Sequence, residues 1–435
     1  MSIKKIKRKM RKRAKRSLLK FLTRMPNVRW HIRTSRWEHH QKNYEEIARD
    51  LPINNHMVVF QAFGGRQYAC SPKAIYETMC ADPRFDDWTF VWALSKKARA
   101  EMEEVPSLQR AEIVTYSSRA YKEALAQAKY WVYNNRVQEF IYPKEGQVYV
   151  QCWHGTPLKH LGFDVDSSKG GALNTADELA RRFRIDSEKW TYLLSPSAYT
   201  SQHLADAFGL PQEERASVVL EEGYPRNDVI RRTLDASDAK EQIDQLKDDM
   251  NLPKDKKVLL LAPTWREDQC DPSRGYVGSI PVDMDEMQKQ LGDEWIVLLR
   301  MHYYIANKID LTPWEGFAFN VSGARDINKL YLVSDALCTD YSSVFFDYSN
   351  TKRPLIFLWS DRDHYENDLH GFYIELDSLP GPKCNGTQDL IDEVKALPSW
   401  EEKYGADYAK FREKFCPKDD GHAAERVINR FIEED

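Results

Sequence analysis

Short apolar runs recur along the chain and alternate with amphipathic stretches of helical spacing, a rhythm typical of buried β-strands separated by helices. The first set of predicted strands is Met57–Phe60, Trp88–Leu94, Ile113–Tyr116, Tyr130–Tyr133, Val148–Trp153, Tyr192–Ser195 and Val218–Glu221. The second set is Val258–Leu261, Trp295–Met301, Phe317–Val321, Ala336–Thr339 and Pro354–Leu358. Strands that alternate with helices predict parallel sheets covered by helices on both faces.

The division of these strands into two sets predicts two domains. A charged stretch, Asp228–Lys257, interrupts the rhythm, and 435 residues are many for a single hydrophobic core. We expect an N-terminal α/β domain over residues 51–224, a C-terminal α/β domain over residues 225–415 and a C-terminal helix over residues 416–435. The crevice between two such domains, at the carboxyl ends of their strands, is the expected active site.

Charge is distributed unevenly along the chain. Residues 1–37 contain 15 Lys or Arg and no Asp or Glu, whereas the whole chain has a net charge of −4, so the body of the protein is acidic. The cations alternate with Leu, Phe, Met and Trp side chains, as in helices that lie on anionic membrane surfaces. We therefore expect residues 1–50 to form a basic amphipathic segment that binds a membrane surface, with a polar helix over about Glu38–Arg49. A solvated tail is the alternative; nucleic acid is not an expected partner, because the acidic body repels phosphate backbones.

Other features of the composition exclude several classes of function. The seven cysteines are scattered, odd in number and without a Cys-x-x-Cys pair, which indicates a reducing compartment and neither a disulfide framework nor a zinc site. No cluster of metal ligands has a recognisable spacing, and the P-loop motif of nucleotide triphosphatases does not occur. No apolar run approaches the roughly 18 residues of a membrane span. We expect neither a metal nor a cofactor.

A histidine at the end of a predicted strand is the leading catalytic candidate. The apolar run that reaches Cys152 and Trp153 is followed directly by His154–Pro157, in which Gly, Thr and Pro stop the strand. Parallel sheets present catalytic groups at such strand ends, and histidine exchanges protons near neutral pH. On residue type alone, a packed loop histidine is an equal alternative.

Cations and hydroxyls follow three strands of the second half in the same way. Arg266 follows the first of these strands, and Arg300 and His302 alternate at the end of the next, so their side chains share one side of the chain. Ser342 and Ser343 begin a predicted helix, where backbone N–H groups can receive phosphate. Together these residues predict a phosphate pocket. A surface charged pair and an ordinary helix N-cap are the alternatives.

Several motifs together resemble the CDP-glycerol glycerophosphotransferase family, the teichoic acid primases and polymerases. Each motif is a modest signal, but they occur in family order and are specific in combination. They are Phe60–Tyr76, Trp153–Lys159, Gly223–Asp228, Ala262–Arg266, Arg300–His302, Thr339–Ser343, Gly371–Tyr373 and Leu379–Pro382.

The resemblance implies a fold, a reaction and roles for individual residues. The expected fold is α/β of the GT-B type, with two doubly wound parallel-sheet domains that face each other across a cleft. The implied reaction moves glycerol phosphate or ribitol phosphate from a CDP-polyol to a hydroxyl of a polyprenyl-pyrophosphate-linked acceptor. It releases CMP at the cytoplasmic face of the cell membrane. His154 is implied as the general base. The implied donor-binding residues are Arg266, Arg300, His302, Thr339, Ser342 and Ser343, with support expected from Asp340, Asp347, His370 and Lys159.

Two departures from the family pattern and two alternative functions stay open. His370 stands where arginine is expected in many relatives, so one phosphate contact is expected to be softened or replaced. The chain also lacks a long C-terminal extension, which favours an enzyme that adds one or a few units. The alternatives are a GT-B glycosyltransferase or epimerase that acts on a UDP-sugar, and an inactive membrane-bound scaffold. The choice of glycerol or ribitol, the acceptor linkage unit and a homo-oligomeric state are not decided by the sequence.

Overall fold

The computed structural model describes residues 26–102, 105–165, 176–264, 270–271, 275–276, 280–301, 309–359 and 371–433. Within these ranges the chain forms two large parallel sheets, and clusters of buried apolar side chains cover both faces of each sheet. A strand that is buried on both faces needs a near-continuous apolar run, which is why the short aliphatic and aromatic segments form these strands. The predicted α/β fold with two parallel-sheet domains is confirmed, and a GT-B arrangement fits it.

The N-terminal domain is built on a parallel sheet. Its strands are β1 (Asn54–Gln61), β2 (Thr89–Leu94), β3 (Ala111–Thr115), β4 (Ala128–Tyr133), β5 (Val148–Gln151), β6 (Tyr192–Ser195) and β7 (Val219–Glu221). Its helices are α1 (Pro26–Ala48), α2 (Cys70–Ala81), α3 (Lys96–Met102), α4 (Arg119–Gln127), α5 (Ala176–Ser187), α6 (Ala198–Phe208) and α7 (Arg215–Val218). The strand order β3-β2-β1-β4-β5-β6-β7 reverses direction between β1 and β4. The loops after these two strands therefore border a crevice at the carboxyl edge of the sheet.

The C-terminal domain repeats this plan. Its strands are β8 (Lys257–Ala262), β9 (Cys270–Asp271), β10 (Gly275–Tyr276), β11 (Trp295–Leu299), β12 (Ala318–Asn320), β13 (Ala336–Thr339), β14 (Leu355–Leu358) and β15 (Lys383–Cys384). The helices that follow the first domain are α8 (Asp228–Leu234), α9 (Ala239–Asp249), α10 (Met284–Leu291), α11 (Ile327–Val333), α12 (Val344–Tyr348), α13 (Thr387–Lys395), α14 (Trp400–Phe415) and α15 (Ala423–Glu433). The sheet has the order β12-β11-β8-β13-β14-β15, whereas β9 and β10 form a separate antiparallel pair. The order reverses between β8 and β13, so the loops after these strands border the second crevice.

The last helix of the chain packs against the N-terminal domain. Val427, Ile428 and Phe431 of α15 lie in the same apolar cluster as side chains of β1 and β2. The carboxylate of Asp228, at the start of α8, accepts hydrogen bonds from the first two backbone N–H groups of this helix, which have no partner inside a helix. The chain thus crosses back over the domain junction and joins the two domains a second time.

The predicted strands all overlap observed ones, and the differences lie at short or polar elements. The helix expected from about Glu38 begins twelve residues earlier, at Pro26. The strand β15 was missed because two residues, one of them lysine, carry no periodic signal. The basic residues 1–25 lie outside the described residues.

Candidate active site

His154 stands at the end of a short turn that carries the chain out of β5. Trp153, directly before it, has a left-handed backbone with φ of 48°, which is uncommon for a bulky residue. The side-chain oxygen of Gln151 accepts a hydrogen bond from the Trp153 N–H (3.0 Å) and stabilises this turn. The Trp153 indole then stacks on the His154 imidazole, with ring centres 4.3 Å apart. The backbone and a buried aromatic ring therefore fix the position of the imidazole.

The environment of His154 keeps its ring neutral. The side chain is exposed at the mouth of the cleft, yet protein atoms crowd around it. This desolvation, together with the positive charges of Arg226 and Arg136, lowers the pKa of His154 from 6.5 to about 4. Each of these effects disfavours the protonated ring. At neutral pH His154 is therefore an uncharged imidazole with a nitrogen that can accept a proton.

The cleft brings His154 together with three of the other predicted residues. His154 and Lys159 line a cavity of ≈ 240 Å³ whose opposite wall contains Ser342 and Ser343 of the C-terminal domain. The two walls are in close contact, since a Cβ atom built on Gly155 would lie 3.2 Å from the Ser343 hydroxyl oxygen. The cavity therefore joins the strand end that carries the histidine to the hydroxyl-rich turn after β13.

The loop that follows His154 pairs with the C-terminal domain through its backbone. The His160 N–H donates to the Gly371 carbonyl (2.9 Å), and the Tyr373 N–H donates to the Leu158 carbonyl (2.9 Å). These bonds form a short antiparallel pairing between the two domains. They hold the loop after His154 in place relative to the donor side of the cleft.

Two predicted residues after β13 bind neighbouring backbone groups. The Thr339 hydroxyl is buried and donates to the carbonyl of Ala262 in β8 (2.7 Å). The Asp340 carboxylate accepts hydrogen bonds from the backbone N–H (2.8 Å) and the hydroxyl (2.5 Å) of Thr264. Both contacts join the turn after β13 to the loop after β8. Donor binding by Thr339 and support by Asp340 stay predictions, whereas Thr264, which had not been predicted, lines the cavity itself.

The predicted cations of the donor side are only partly described. Arg300 is half-buried at the end of β11, where its Nη1 donates to the Ala324 carbonyl (3.1 Å). Burial lowers the pKa of Arg300, which indicates a guanidinium with incomplete solvation. Arg300 does not line the cavity beside His154. Arg266, His302 and His370 lie outside the described residues.

Asp347, predicted as a supporting residue, forms an ion pair with the segment that links the two domains. Its two carboxylate oxygens accept hydrogen bonds from Nε (3.0 Å) and Nη2 (2.9 Å) of Arg226. The amide of Asn227 donates a further bond to the same carboxylate (3.1 Å). Two parallel bonds between a guanidinium and a carboxylate fix both groups in orientation as well as distance. Asp347 therefore acts through Arg226 in this structure, and a contact with donor stays a prediction.

Arg226 is the main site residue to which sequence reasoning gave no role. It is 5% exposed and lies over the ring of Tyr224, whose hydroxyl donates to the Gly155 carbonyl (3.4 Å) beside His154. The charge of Arg226 is also one of those that keep the pKa of His154 low. Arg226 belongs to the motif Gly223–Asp228, but the motif alone does not show which residue this arginine binds.

Most of the chain matches a known protein family. The profile described as CDP-Glycerol:Poly(glycerophosphate) glycerophosphotransferase matches residues 44–433, which include both domains and the cleft. The chain belongs to this family. The recognition made from the sequence motifs is therefore confirmed.

Curated relatives and solved structures agree with the family. The teichoic acid poly(glycerol phosphate) polymerase of Bacillus subtilis (strain 168) is 36% identical over 394 residues, which are 89% of this chain and 50% of the relative. The teichoic acid glycerol-phosphate transferase of Staphylococcus aureus (strain NCTC 8325 / PS 47) is 35% identical over 383 residues, 88% of this chain and 94% of the relative. A structure of a histidine variant of the wall teichoic acid polymerase TagF, soaked with CDPG, superposes with a TM-score of 0.81 at 36% identity. It covers 95% of this chain and 98% of that one. The chain spans about half the length of the polymerase from Bacillus subtilis.

Proposed function

We propose that this protein is a CDP-glycerol glycerophosphotransferase that transfers glycerol phosphate to a hydroxyl of a lipid-linked acceptor and releases CMP. The observation that carries the proposal is a neutral His154 that faces the Ser342–Ser343 turn across the cleft between the two domains. A proton acceptor on one wall and a group of phosphate-binding donors on the other are the two parts that phosphoryl transfer needs.

The transfer step follows from this arrangement. The acceptor hydroxyl gives its proton to the free ring nitrogen of His154 while its oxygen forms a bond to the phosphorus next to the glycerol. The bond between this phosphorus and the bridging oxygen of the pyrophosphate breaks, and CMP leaves with the electron pair. The anionic donor beside His154 offsets the charges of Arg226 and Arg136, which raises the pKa of the imidazole towards neutrality when the donor is bound.

The donor side stabilises the charge that develops on the phosphates. Ser342 and Ser343 lie on the cavity wall with their hydroxyl and backbone N–H groups as available donors. Arg300, together with Arg266 and His302, supplies the positive charge expected for a pyrophosphate. The Thr339 and Asp340 contacts support this turn by fixing it to the loop after β8.

Glycerol is the polyol that the comparisons favour. The curated relatives from Bacillus subtilis and Staphylococcus aureus are both named for glycerol phosphate, and the superposed structure was soaked with CDPG. The test is CMP release by purified protein with a lipid-linked acceptor and, in parallel, CDP-glycerol, CDP-ribitol or a UDP-sugar. Turnover with CDP-glycerol alone supports the proposal. Turnover with only CDP-ribitol changes the polyol, and turnover with only the UDP-sugar overturns the proposal.

Attachment to the cytoplasmic face of a membrane is part of the proposal. Among the described helices, none has the length and apolar character required to cross a bilayer. The 12 cations of residues 1–25 would each contribute about 1 kcal/mol at an anionic surface, an attraction that salt screens. Co-sedimentation with phosphatidylglycerol vesicles, lost at high salt or after deletion of residues 1–25, would support it. Equal recovery with neutral phosphatidylcholine vesicles would contradict it.

A further inference from the structure

A second and larger cavity lies in the N-terminal domain, beside the helix that follows the basic segment. It has a volume of ≈ 490 Å³ and opens between α1, the loop after β4 and α5. Its lining includes Arg36 and Trp37 of α1, Arg136 of the loop, and Arg182 of α5. The function proposed above does not assign a role to this space.

The cavity wall has an excess of positive charge. Arg36, Arg136, Arg182 and Lys189 line it, against the carboxylates of Glu139 and Asp186. Two of the cations are already engaged. Arg182 donates to the Glu139 carboxylate (2.9 Å), and Lys189 donates to the Gln138 and Glu139 carbonyls.

The other two cations have N–H groups without an acceptor among the residues that the structure describes. The guanidinium groups of Arg36 and Arg136 make no hydrogen bond and no ion pair with the described residues around them. Arg36 is exposed, whereas Arg136 is half-buried with its guanidinium over the ring of Phe183 (5.1 Å). Burial and the neighbouring charge of Arg182 lower the pKa of Arg136. Two guanidinium groups that line one cavity and have N–H groups to donate are suited to bind phosphate oxygens.

A continuous series of aromatic contacts connects this cavity to the catalytic histidine. Beyond Phe183, the ring of Phe208 follows at 4.6 Å, then Trp153 at 4.9 Å, and Trp153 stacks on His154. The charge of Arg136 reaches both places, since it also lowers the pKa of His154. The cavity therefore lies beside α1, which follows the basic segment, and its core contacts reach the general base.

We propose that this cavity binds the phosphate-bearing headgroup of the lipid-linked acceptor, with Arg36 and Arg136 as the residues that hold its phosphate oxygens. The inference rests on the proposed function and adds a place for the acceptor to it. A pyrophosphate or phosphodiester held here would place the acceptor on the same domain as His154. The same phosphate chemistry occurs in the headgroup of an ordinary anionic phospholipid, and the experiment separates these two sources.

The direct test is calorimetric titration of the full chain with inorganic pyrophosphate, with CDP in excess to fill the donor pocket. We expect the Arg36→Gln and Arg136→Gln variants each to weaken pyrophosphate binding by roughly tenfold, because each loses a charge-assisted hydrogen bond. Arg215→Gln is the matched control, since Arg215 lies outside the cavity and pairs with Asp206 (2.8 Å). Equal binding by all variants means that pyrophosphate is an adventitious ion only and overturns the proposal. This titration does not depend on turnover, so it remains informative if the proposed transfer fails.

Kinetics then separate the two sources of phosphate. With a short-chain, water-soluble acceptor, Arg36→Gln is expected to raise the KM for acceptor by roughly tenfold and to leave the KM for CDP-glycerol and the binding of phosphatidylglycerol vesicles unchanged. Arg36 serves here because Arg136 also influences the ionisation of His154. Loss of vesicle binding with an unchanged KM for acceptor would assign the cavity to phospholipid and overturn the proposal.

Discussion

Two pairs of arginine and aspartate differ in whether they are hydrogen-bonded, and the arginine of each pair lowers the pKa of His154. Arg226, in the segment that links the two domains, forms a bidentate hydrogen-bonded ion pair with Asp347. Arg136 and Asp186 line one cavity of the N-terminal domain and interact through their charges without a hydrogen bond. The first pair is complete within the protein and stabilises the domain junction. The second keeps its donors for another molecule, so the same residue types can indicate a structural junction or a binding site.

The largest effect should come from breaking the complete pair. We expect Asp347→Asn to lower the free energy of unfolding by about 3–5 kcal/mol, because it leaves the buried charge of Arg226 without a counter-charge. Denaturant unfolding of purified protein measures the change. Asp407→Asn removes a carboxylate from an exposed ion pair and is the control, with an expected loss below about 1 kcal/mol. A loss below about 1 kcal/mol for Asp347→Asn as well would show that the stability of the junction does not depend on this ion pair.

The acid side of the activity profile should report the charges around His154. The pKa of His154 is held at about 4 by desolvation, Arg226 and Arg136, and the neutral ring is the active form. The value of kcat/KM for CDP-glycerol, which reports the free enzyme, should therefore persist as the pH falls below the ordinary value of 6.5. Removal of one cation raises the pKa, so Arg136→Gln should lower kcat/KM for CDP-glycerol at pH 5 by roughly twofold and leave it unchanged at pH 8, with acceptor saturating. Arg182→Gln is the control, because Arg182 is not among the charges that act on His154. Identical profiles for wild type and Arg136→Gln would contradict this electrostatic account.

The smallest effect is expected at the incomplete pair. Burial raises the pKa of Asp186 and lowers that of Lys189, so neither charge is well stabilised where it lies. We expect Asp186→Asn to change the free energy of unfolding by less than about 1 kcal/mol at pH 7, since it removes a desolvated charge together with a weak attraction. A raised pKa means that the native state binds the extra proton, so wild-type stability falls relative to Asp186→Asn as the pH rises above 3.8. Urea unfolding at pH 5 and pH 8 tests both statements, and a large loss at pH 7 would show that Asp186 is a structural partner.

Features that depend on neighbouring residues could be predicted from the sequence, whereas contacts between residues far apart in the chain could not. The position of His154 could be predicted because an apolar strand and the Gly, Thr and Pro that stop it are adjacent in sequence. The strands could also be predicted, because each is a short apolar run of adjacent residues. The role of Arg226 could not be predicted, since its partner Asp347 lies 121 residues away and the pairing exists only in the folded structure. The left-handed turn at Trp153 was also invisible, because nothing in the residue type indicates a positive φ. The second cavity depends on α1, of which only the C-terminal half was expected to be helical.

The central claim is that His154 is the general base of glycerol phosphate transfer. The most direct measurement is CMP release from CDP-glycerol with a lipid-linked acceptor, by wild type and His154→Ala, with the affinity for CDP-glycerol measured in parallel. We predict that His154→Ala lowers the rate of CMP release by about 10²–10⁴-fold while the Kd for CDP-glycerol changes by less than about twofold. CMP release at the wild-type rate from His154→Ala would contradict the account.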